Sequence, residues 1–480
     1  MIIRSALPLI IQGGMGVAVS DWKLARAVSV CGQLGVVSGT ALDTVMVRRL
    51  QDGDPGGHIR RAINAFPIEG VGEAVLTKFF NPGGREAGIP YRLLPMYRQH
   101  VSRARNQVTM LANFVEVFLA KDGHDGIVGI NLLTKVQAPT LASLYGAMLA
   151  GVDYVLMGAG IPREIPGALD SLAEHRTTSI RFDVEASSGE SYFLTLEPAE
   201  LGADISSSLR RPDFLPIISA NSLAMTLARK ANGAVQGFVV EGPTAGGHNA
   251  PPRGEMRLND RGEPIYGDRD VVDLDKLSDL GLPFWLAGGT GSPERLTEAL
   301  DSGAAGIQVG TLFAFAEESG FAAALKHDVL DHAGRGEVDV ITDPRASPTG
   351  YPFKVVRWAG DPSELVTRER KCDLGYLRVA FRREDGRIDY RCAAEPVADY
   401  IRKGGEEQDT FGRRCLCNAL TSNIAQPQLR ESGMLEPPLL TSGDDLVAIA
   451  RFLDGRTSYT AKDVIDYLTE AAAPAFSRSV

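Results

Sequence analysis

The residues best placed to do chemistry are a histidine behind two glycines and four cysteines near the C-terminus. His248 ends the stretch Gly237-Phe238-Val239-Val240-Glu241-Gly242-Pro243-Thr244-Ala245-Gly246-Gly247-His248-Asn249. The apolar Phe-Val run reads as a buried strand, and Gly242-Pro243 stops it. Gly246 and Gly247 let backbone come close to a flat ligand, because no Cβ stands between. A histidine at such a strand end is a proton acceptor or donor near neutral pH. Taken alone, a Gly-Gly-His is as compatible with a turn carrying a surface histidine. His58, in Asp54-Pro55-Gly56-Gly57-His58 with no strand before it, reads as loop.

The cysteines pose a different question. Cys372, Cys392, Cys415 and Cys417 lie close together in the chain, flanked by Lys371, Arg391, Arg413 and Arg414. In a cytoplasmic protein such a group favours metal over disulfides. The spacing is not that of paired C-x2-C knuckles, so zinc, an iron–sulfur cluster, unpaired structural thiols and a disulfide all stay open. The basic neighbours would depress thiol pKa values or offset a thiolate cluster. Cys31, before Gly32 at a helix end, reads as a buried thiol.

Composition narrows the classes. A chain of 480 residues with 44% hydrophobic and 23% charged residues has a sizeable core and could hold two or three average domains or one large barrel with attachments. A formal net charge of −10 argues against a nucleic-acid partner. No apolar run approaches the roughly 20 residues that cross a bilayer. Met1-Ile2-Ile3-Arg4 lacks the regions of a signal peptide, so a cytoplasmic location is expected.

The elements that must position His248 recur along the chain. Short apolar runs end in small or polar residues eight times: Pro8–Ile11, Leu34–Val37, Ile127–Ile130, Tyr154–Met157, Pro216–Ile218, Phe238–Val240, Pro283–Leu286 and Gly306–Val309. Helical spacing fills most gaps, as at Ser20–Val30, Ala138–Ala150, Ser222–Ala231 and Pro293–Ser302. Ser20 and Ser292 read as N-caps, with Pro293 in the first turn. Continuous apolar strands alternating with amphipathic helices predict a parallel (β/α)8 barrel, with a doubly wound open sheet as the rival. Its active site lies at the C-terminal strand ends, where the Gly, Ser, Asn and His residues fall. Ala287-Gly288-Gly289-Thr290-Gly291 and Gly310-Thr311 close the last two strands, where barrels often hold a phosphate through backbone N–H groups. No GxGxxG follows a first strand and there is no Walker A sequence.

Two interruptions, near 43–123 and 162–213, exceed an ordinary loop and are expected over the barrel mouth as lids. The first should carry a helix over about Tyr97–Ala120. The second should carry a helix near Ala168–His175, then an added strand or hairpin at Ile180-Arg181-Phe182-Asp183-Val184. The expected division is a barrel over 1–360 and an extension over 361–480. That extension turns helical from Thr441 to Leu468, with start signals at Ser442-Gly443-Asp444 and Ser458-Tyr459-Thr460, as a capping or homodimer-contact segment.

From about Pro8 to Gly320 the chain resembles the FMN-dependent nitronate monooxygenases, formerly 2-nitropropane dioxygenases, whose barrel relatives include flavin-dependent enoyl-acyl-carrier-protein reductases. The carriers are Ile11-Gln12-Gly13-Gly14-Met15, Gly129-Ile130-Asn131-Leu132, Gly158-Ala159-Gly160-Ile161-Pro162, Glu241 with Ala245-Gly246-Gly247-His248, Ala287-Gly288-Gly289 and Val309-Gly310-Thr311. The resemblance implies bound FMN. Gly13, Gly14 and Met15 would lie against its ring and Asn131 on its polar edge, although Met15 as core packing and Asn131 as a strand-end cap stay open. Gly247, Gly288, Gly289, Gly310 and Thr311 would hold the phosphate, with Gly246 and Ser219 completing the cofactor contacts. His248 would be catalytic, and Thr342–Pro352 would be a loop near the flavin.

The implied reaction is oxidation of a small alkyl nitronate with O2. One departure keeps a rival alive: many nitronate oxidases carry a lysine after the strand matching Pro216-Ile217-Ile218, where this chain has Ser219-Ala220-Asn221. A trans-acting enoyl-thioester reductase serving a fatty-acid or polyketide synthase, with an acyl-carrier partner, fits that departure. A non-catalytic flavin-barrel scaffold that docks onto a synthase is the third reading.

Overall fold

A computed structural model describes residues 7–186, 189–204, 206–365 and 368–470. Eight strands run β1 Ile10–Gln12, β2 Gly35–Ser38, β3 Val128–Leu133, β4 Tyr154–Gly158, β5 Asp213–Ile218, β6 Phe238–Glu241, β7 Phe284–Ala287 and β8 Gly306–Val309. They are the eight apolar runs of the sequence. Each pairs in parallel with its neighbour, and β1 pairs with β8. Leu34 closes the ring beside β1, donating to the Ile10 carbonyl at 3.1 Å and accepting from Gln12 N–H at 3.0 Å. The predicted (β/α)8 barrel is the fold observed.

Why the strands lack polar alternation is visible in the packing. Ile11, Val36, Leu156, Leu215, Val239 and Trp285 fill the barrel interior. Their neighbours Ile10, Val37, Val155, Phe214, Phe238 and Phe284 point outward into the helical layer. Both faces are buried, so both must be apolar. Trp285 also donates its indole N–H to the Pro8 carbonyl at 2.8 Å, which satisfies the one polar atom it carries inside.

The local signals were partly displaced. Ser292 caps the helix Pro293–Asp301 as expected. The helix Trp22–Val30 is capped by Asp21 instead of Ser20. Ser20 is drawn away because its hydroxyl donates to the Gly13 carbonyl at 2.9 Å and accepts from Met15 N–H at 2.9 Å. His58 is not loop: it opens the helix His58–Asn64 and lies 5.1 Å from the Trp22 ring.

The first insertion is helical, ending in Arg103–Lys121, and packs mainly beside Trp22–Val30 and Thr140–Leu149 on the barrel flank. It was expected over the mouth, but its apolar residues join the outer helical layer. The second holds the helix Ile165–Ala173 and the antiparallel pair Thr178–Phe182 and Tyr192–Leu196. Beyond β8, β9 Val338–Asp343 and β10 Phe353–Trp358 form an antiparallel hairpin. The closing helix Ala461–Thr469 has a Thr460 capping box and packs against Trp22–Val30 and Pro293–Asp301. Leu440, Leu446, Phe452 and Leu468 share one core with barrel residues such as Ile307. Among the described residues no helix is long and apolar enough to cross a membrane.

Candidate functional site

At the C-terminal strand ends lies a cavity of about 220 Å³. Gly13, Gly14, Met15, Asn131, Gly246, Gly247, His248, Gly288, Gly289, Gly310 and Thr311 all border it. The expected set thus comes together, with one exception. Ser219 does not reach the cavity: β5 ends at Ile218 and the chain bends into the helix Asn221–Lys230, so Ile217 is the β5 residue that lines it.

Gln12 builds the first wall. Buried at the end of β1, it accepts from Val36 N–H at 3.0 Å and donates to Ser20 Oγ at 2.8 Å, which pins the turn that follows. Asn131, at the end of β3, donates to the Gly14 carbonyl at 2.9 Å. A Cβ on Gly14 would sit 2.3 Å from Asn131 Cβ, so no larger residue fits there. The opposite wall is glycine for a conformational reason. Gly288 and Gly289 have φ of +89° and +68°, and a Cβ on Gly288 would meet Ala245 N and Thr244 Oγ1 at 3.0 Å.

Two polar atoms mark the cavity as built for a ligand. Asn131 Oδ1 and Gln308 Oε1 are buried without any hydrogen-bond partner, and both residues line the cavity. Unpaired buried acceptors carry a desolvation cost that a ligand donor would relieve. A ring system with N–H groups on one edge and an anionic tail near the glycines would suit this wall, which is the shape of FMN.

His248 is positioned from β10. Gly247 O accepts from Lys354 N–H at 2.9 Å, and Asn249 N–H donates to the Pro352 carbonyl at 3.0 Å. The imidazole meets the Phe353 ring edge-on, centroids 4.9 Å apart, and its Nε2 is 2.7 Å from Ser347 Oγ. Burial, helped by the charge of Lys135, lowers its pKa to about 3. It therefore rests as neutral imidazole, a correction to the neutral-pH titration expected from the residue type.

Several contributors were missed. Glu241 at the end of β6 lines the cavity, and burial raises its carboxyl to about 7. Thr441, Ser442, Gly443 and Asp445 reach the cavity from the far end of the chain. Ser347 and Thr349 lie in the loop already singled out at Thr342–Pro352. Lys135 follows the end of β3, and its place on the catalytic face was the available signal. A second, larger cavity of about 710 Å³ adjoins the first, sharing Val136, Ala159, Tyr376 and Leu377.

The four cysteines do converge, lining one small cavity with Asp373 and Leu374. The zinc or iron–sulfur expectation nevertheless finds no support. Among the described residues no group of three or more His, Cys, Asp or Glu is arranged to hold a metal. All four are free thiols that pack around Ala394, with thiol hydrogen bonding between Cys372 and Cys392 and between Cys415 and Cys417. The bond from Cys417 lowers Cys415 to about 6, whereas Cys392 and Cys417 are raised.

Residues 199–343 match the nitronate monooxygenase family. That stretch carries β5 to β9, with His248 and the Gly288-Gly289 and Gly310-Thr311 turns. No curated protein matches the chain. The enoyl reductase domain of MlnA from the macrolactin biosynthesis cluster of Bacillus amyloliquefaciens is similar in fold, with a TM-score of 0.50 at 11% identity over 98% of this chain and 96% of that one. FabK from Thermotoga maritima aligns at a TM-score of 0.48 and 15% identity, covering 98% and 95% of the two chains. Nitroalkane oxidase from Streptomyces ansochromogenes aligns at 0.44 and 15%, covering 98% and 97%.

Proposed function

From the premise that this chain is an oxidoreductase resembling the nitronate monooxygenases, we propose that it is an FMN-dependent reductase of α,β-unsaturated acyl thioesters. The observation that carries this reading is the outer cavity. At about 710 Å³ it lies in the range of sites for drug-sized ligands, roughly 300–1,000 Å³. A three-carbon nitronate would need the inner cavity alone. An acyl thioester has a reacting double bond for the inner cavity and a long arm for the outer one. On this reading the acyl group arrives on a coenzyme or a carrier.

Gly13, Gly14 and Met15 would back the FMN ring, with Asn131 and Gln308 accepting from its polar edge. Gly247, Gly288, Gly289, Gly310 and Thr311 would surround the phosphate. When bound, FMN supplies the two-electron redox chemistry, with reduced nicotinamide as the external donor. The chain's own work is orientation, exclusion of water and proton handling. The Gly246–Asn249 loop, held by β10, presents His248 to the substrate's α-carbon, which must gain a proton as the double bond is reduced. Phe353 packs against that imidazole and holds its orientation.

Nitronate oxidation with O2 is the second reading, favoured by the family match over residues 199–343. The two separate in one experiment on the flavin-loaded protein under anaerobic conditions. Reduced nicotinamide oxidation that depends on a trans-2-decenoyl thioester supports the reductase. Flavin bleaching by propyl-2-nitronate without nicotinamide, and no thioester-dependent turnover, would replace it with the oxidase.

A further inference from the structure

His248 is half-buried in the wall of the inner cavity and linked to the outer one by other groups. Its Nε2 is 2.7 Å from Ser347 Oγ, and Ser347 Oγ is 2.8 Å from Thr349 Oγ1. Thr349 Oγ1 in turn is 3.4 Å from Lys135 Nζ. His248 lines the inner cavity, Thr349 and Lys135 line the outer one, and Ser347 is 0% exposed in the wall between them. Four side chains from three separate parts of the chain thus form one unbroken hydrogen-bonded row through that wall. Thr349 also donates its backbone N–H to Ser347 Oγ at 3.2 Å, which fixes the two hydroxyls relative to each other. Lys135 packs over the Tyr351 ring, which holds its ammonium at the end of the row.

We propose that Lys135 is a positioning and proton-supplying residue that feeds His248 through Thr349 and Ser347, from the outer cavity to the inner one. The inference rests on His248 meeting the substrate, as proposed above. In one transfer the Nζ–H bond of Lys135 breaks and a proton joins Thr349 Oγ1. That hydroxyl passes its own proton to Ser347 Oγ, which passes its own to His248 Nε2. Each hydroxyl gives one proton and takes one. The net change is a neutral amine at Lys135 and an imidazolium at His248, whose Nδ1–H is then available to the substrate carbon. Water in the outer cavity returns the proton to Lys135.

Transfer from Lys135 to His248, lowered to about 3, runs uphill, so the imidazolium forms only transiently, as the substrate carbon takes its proton. Burial lowers the Lys135 ammonium to about 6, so it parts with a proton near neutral pH far more readily than an exposed lysine. The Lys135 charge adds to burial in keeping His248 neutral, so two adjacent cations are avoided. The other charged groups on the outer cavity are Arg98, Arg163, Glu164, Arg181, Asp183 and Arg378. Those able to titrate on the inner one, besides His248, are Glu241, Tyr376, Cys417 and Asp445.

Two measurements test the relay. The first needs no substrate: the His248 titration is followed by 15N-histidine NMR in the flavin-loaded protein, with Lys135→Met beside the native chain. The imidazole midpoint should rise by about one unit or more toward its ordinary range when the neighbouring charge is lost. An unmoved midpoint, with flavin content preserved and melting temperature not lowered, would overturn the link. The second breaks the row while keeping the charge. Thr349→Val should lower kcat roughly tenfold or more with little change in KM, and Thr349→Ser should restore it together with the pH profile. Equal kcat in native protein and Thr349→Val would overturn the route. If the native protein turns over neither thioester nor nitronate, the functional reading fails, and the NMR titration decides the Lys135–His248 link by itself.

Discussion

Gly247 donates its backbone N–H to Thr441 Oγ1 at 2.9 Å, joining positions 194 residues apart on one rim of the inner cavity. Next to it, Gly443 N–H donates to Thr311 Oγ1 at 3.1 Å and Gly291 N–H donates to Asp445 at 3.1 Å. The far end of the chain therefore braces each of the three glycine turns expected around the cofactor's phosphate.

That bracing predicts a flavin phenotype far from the barrel in sequence. A Cβ on Gly443 would lie 2.9 Å from both Thr244 O and Thr311 Oγ1. Gly443→Val should cost about 1–3 kcal/mol by overpacking. If that cost falls on the loaded state, FMN affinity drops about tenfold to a hundredfold. Fluorescence titration of FMN into the flavin-free variant measures it, and unchanged affinity would remove the segment from the cradle.

Binding and chemistry should separate cleanly between two other positions. His248→Ala should keep its flavin yet lose turnover by roughly a hundredfold, the contribution expected of a placed acid–base group. Gly289→Leu should lose flavin instead, because a side chain at φ +68° must fill the cradle beside Thr244. A yellow, flavin-saturated Gly289 variant would sink the phosphate assignment.

Stability should respond to pH in opposite senses at Lys135 and Glu241. Burial drops Lys135 to about 6, against 10.5 in the unfolded chain. Between those values the unfolded state binds more protons, so stability rises with pH through that window. Lys135→Met should melt above the native protein at pH 6, with the difference shrinking toward pH 10. Glu241 is raised to about 7, against 4.5 unfolded. The folded state then binds more protons between these values, and stability falls as pH rises through them. Glu241→Gln should flatten that fall. Calorimetric scans across pH 5–10 on each variant check both signs, and parallel curves would contradict the burial of these groups.

The region that carries the cysteines is held by a buried charge cluster. Arg430 pairs with Glu436 at 2.6 Å and with Asp373, while Arg368 also bonds Glu436. Glu436 is 1% exposed. Glu436→Gln strips the carboxylate from two guanidinium groups, and breaking a buried pair in this way costs about 3–5 kcal/mol. Chemical denaturation would show it. A loss below about 1 kcal/mol, the level of exposed pairs, would mean that solvent reaches the cluster.

What the chain determined by itself was periodic. Eight apolar runs ending in small residues specify a parallel barrel, because strands covered on both faces cannot alternate with polar residues. The same logic placed Gly13, Asn131, His248, Gly288 and Gly310 on one face, since every strand of such a barrel delivers its C-terminal end there. Short-range capping was legible at Ser292, but not at Ser20, whose hydroxyl is claimed by a turn that local sequence does not reveal.

Tertiary structure decided everything that depends on pairing across long separations. Thr441 and Gly443 carry no local mark of a binding site and came to line the inner cavity only through folding of the C-terminal segment onto the turns after β6 and β8. Ser219 sat at the right strand end yet missed the cavity, because one backbone bend redirected it. Four cysteines met in space, although among the described residues no group of three or more His, Cys, Asp or Glu is arranged to hold a metal. Lys135 looked like any surface lysine. Its proton affinity is a property of its surroundings, and burial against Tyr351 and proximity to His248 arise only when β3 and the loop before β10 are brought together.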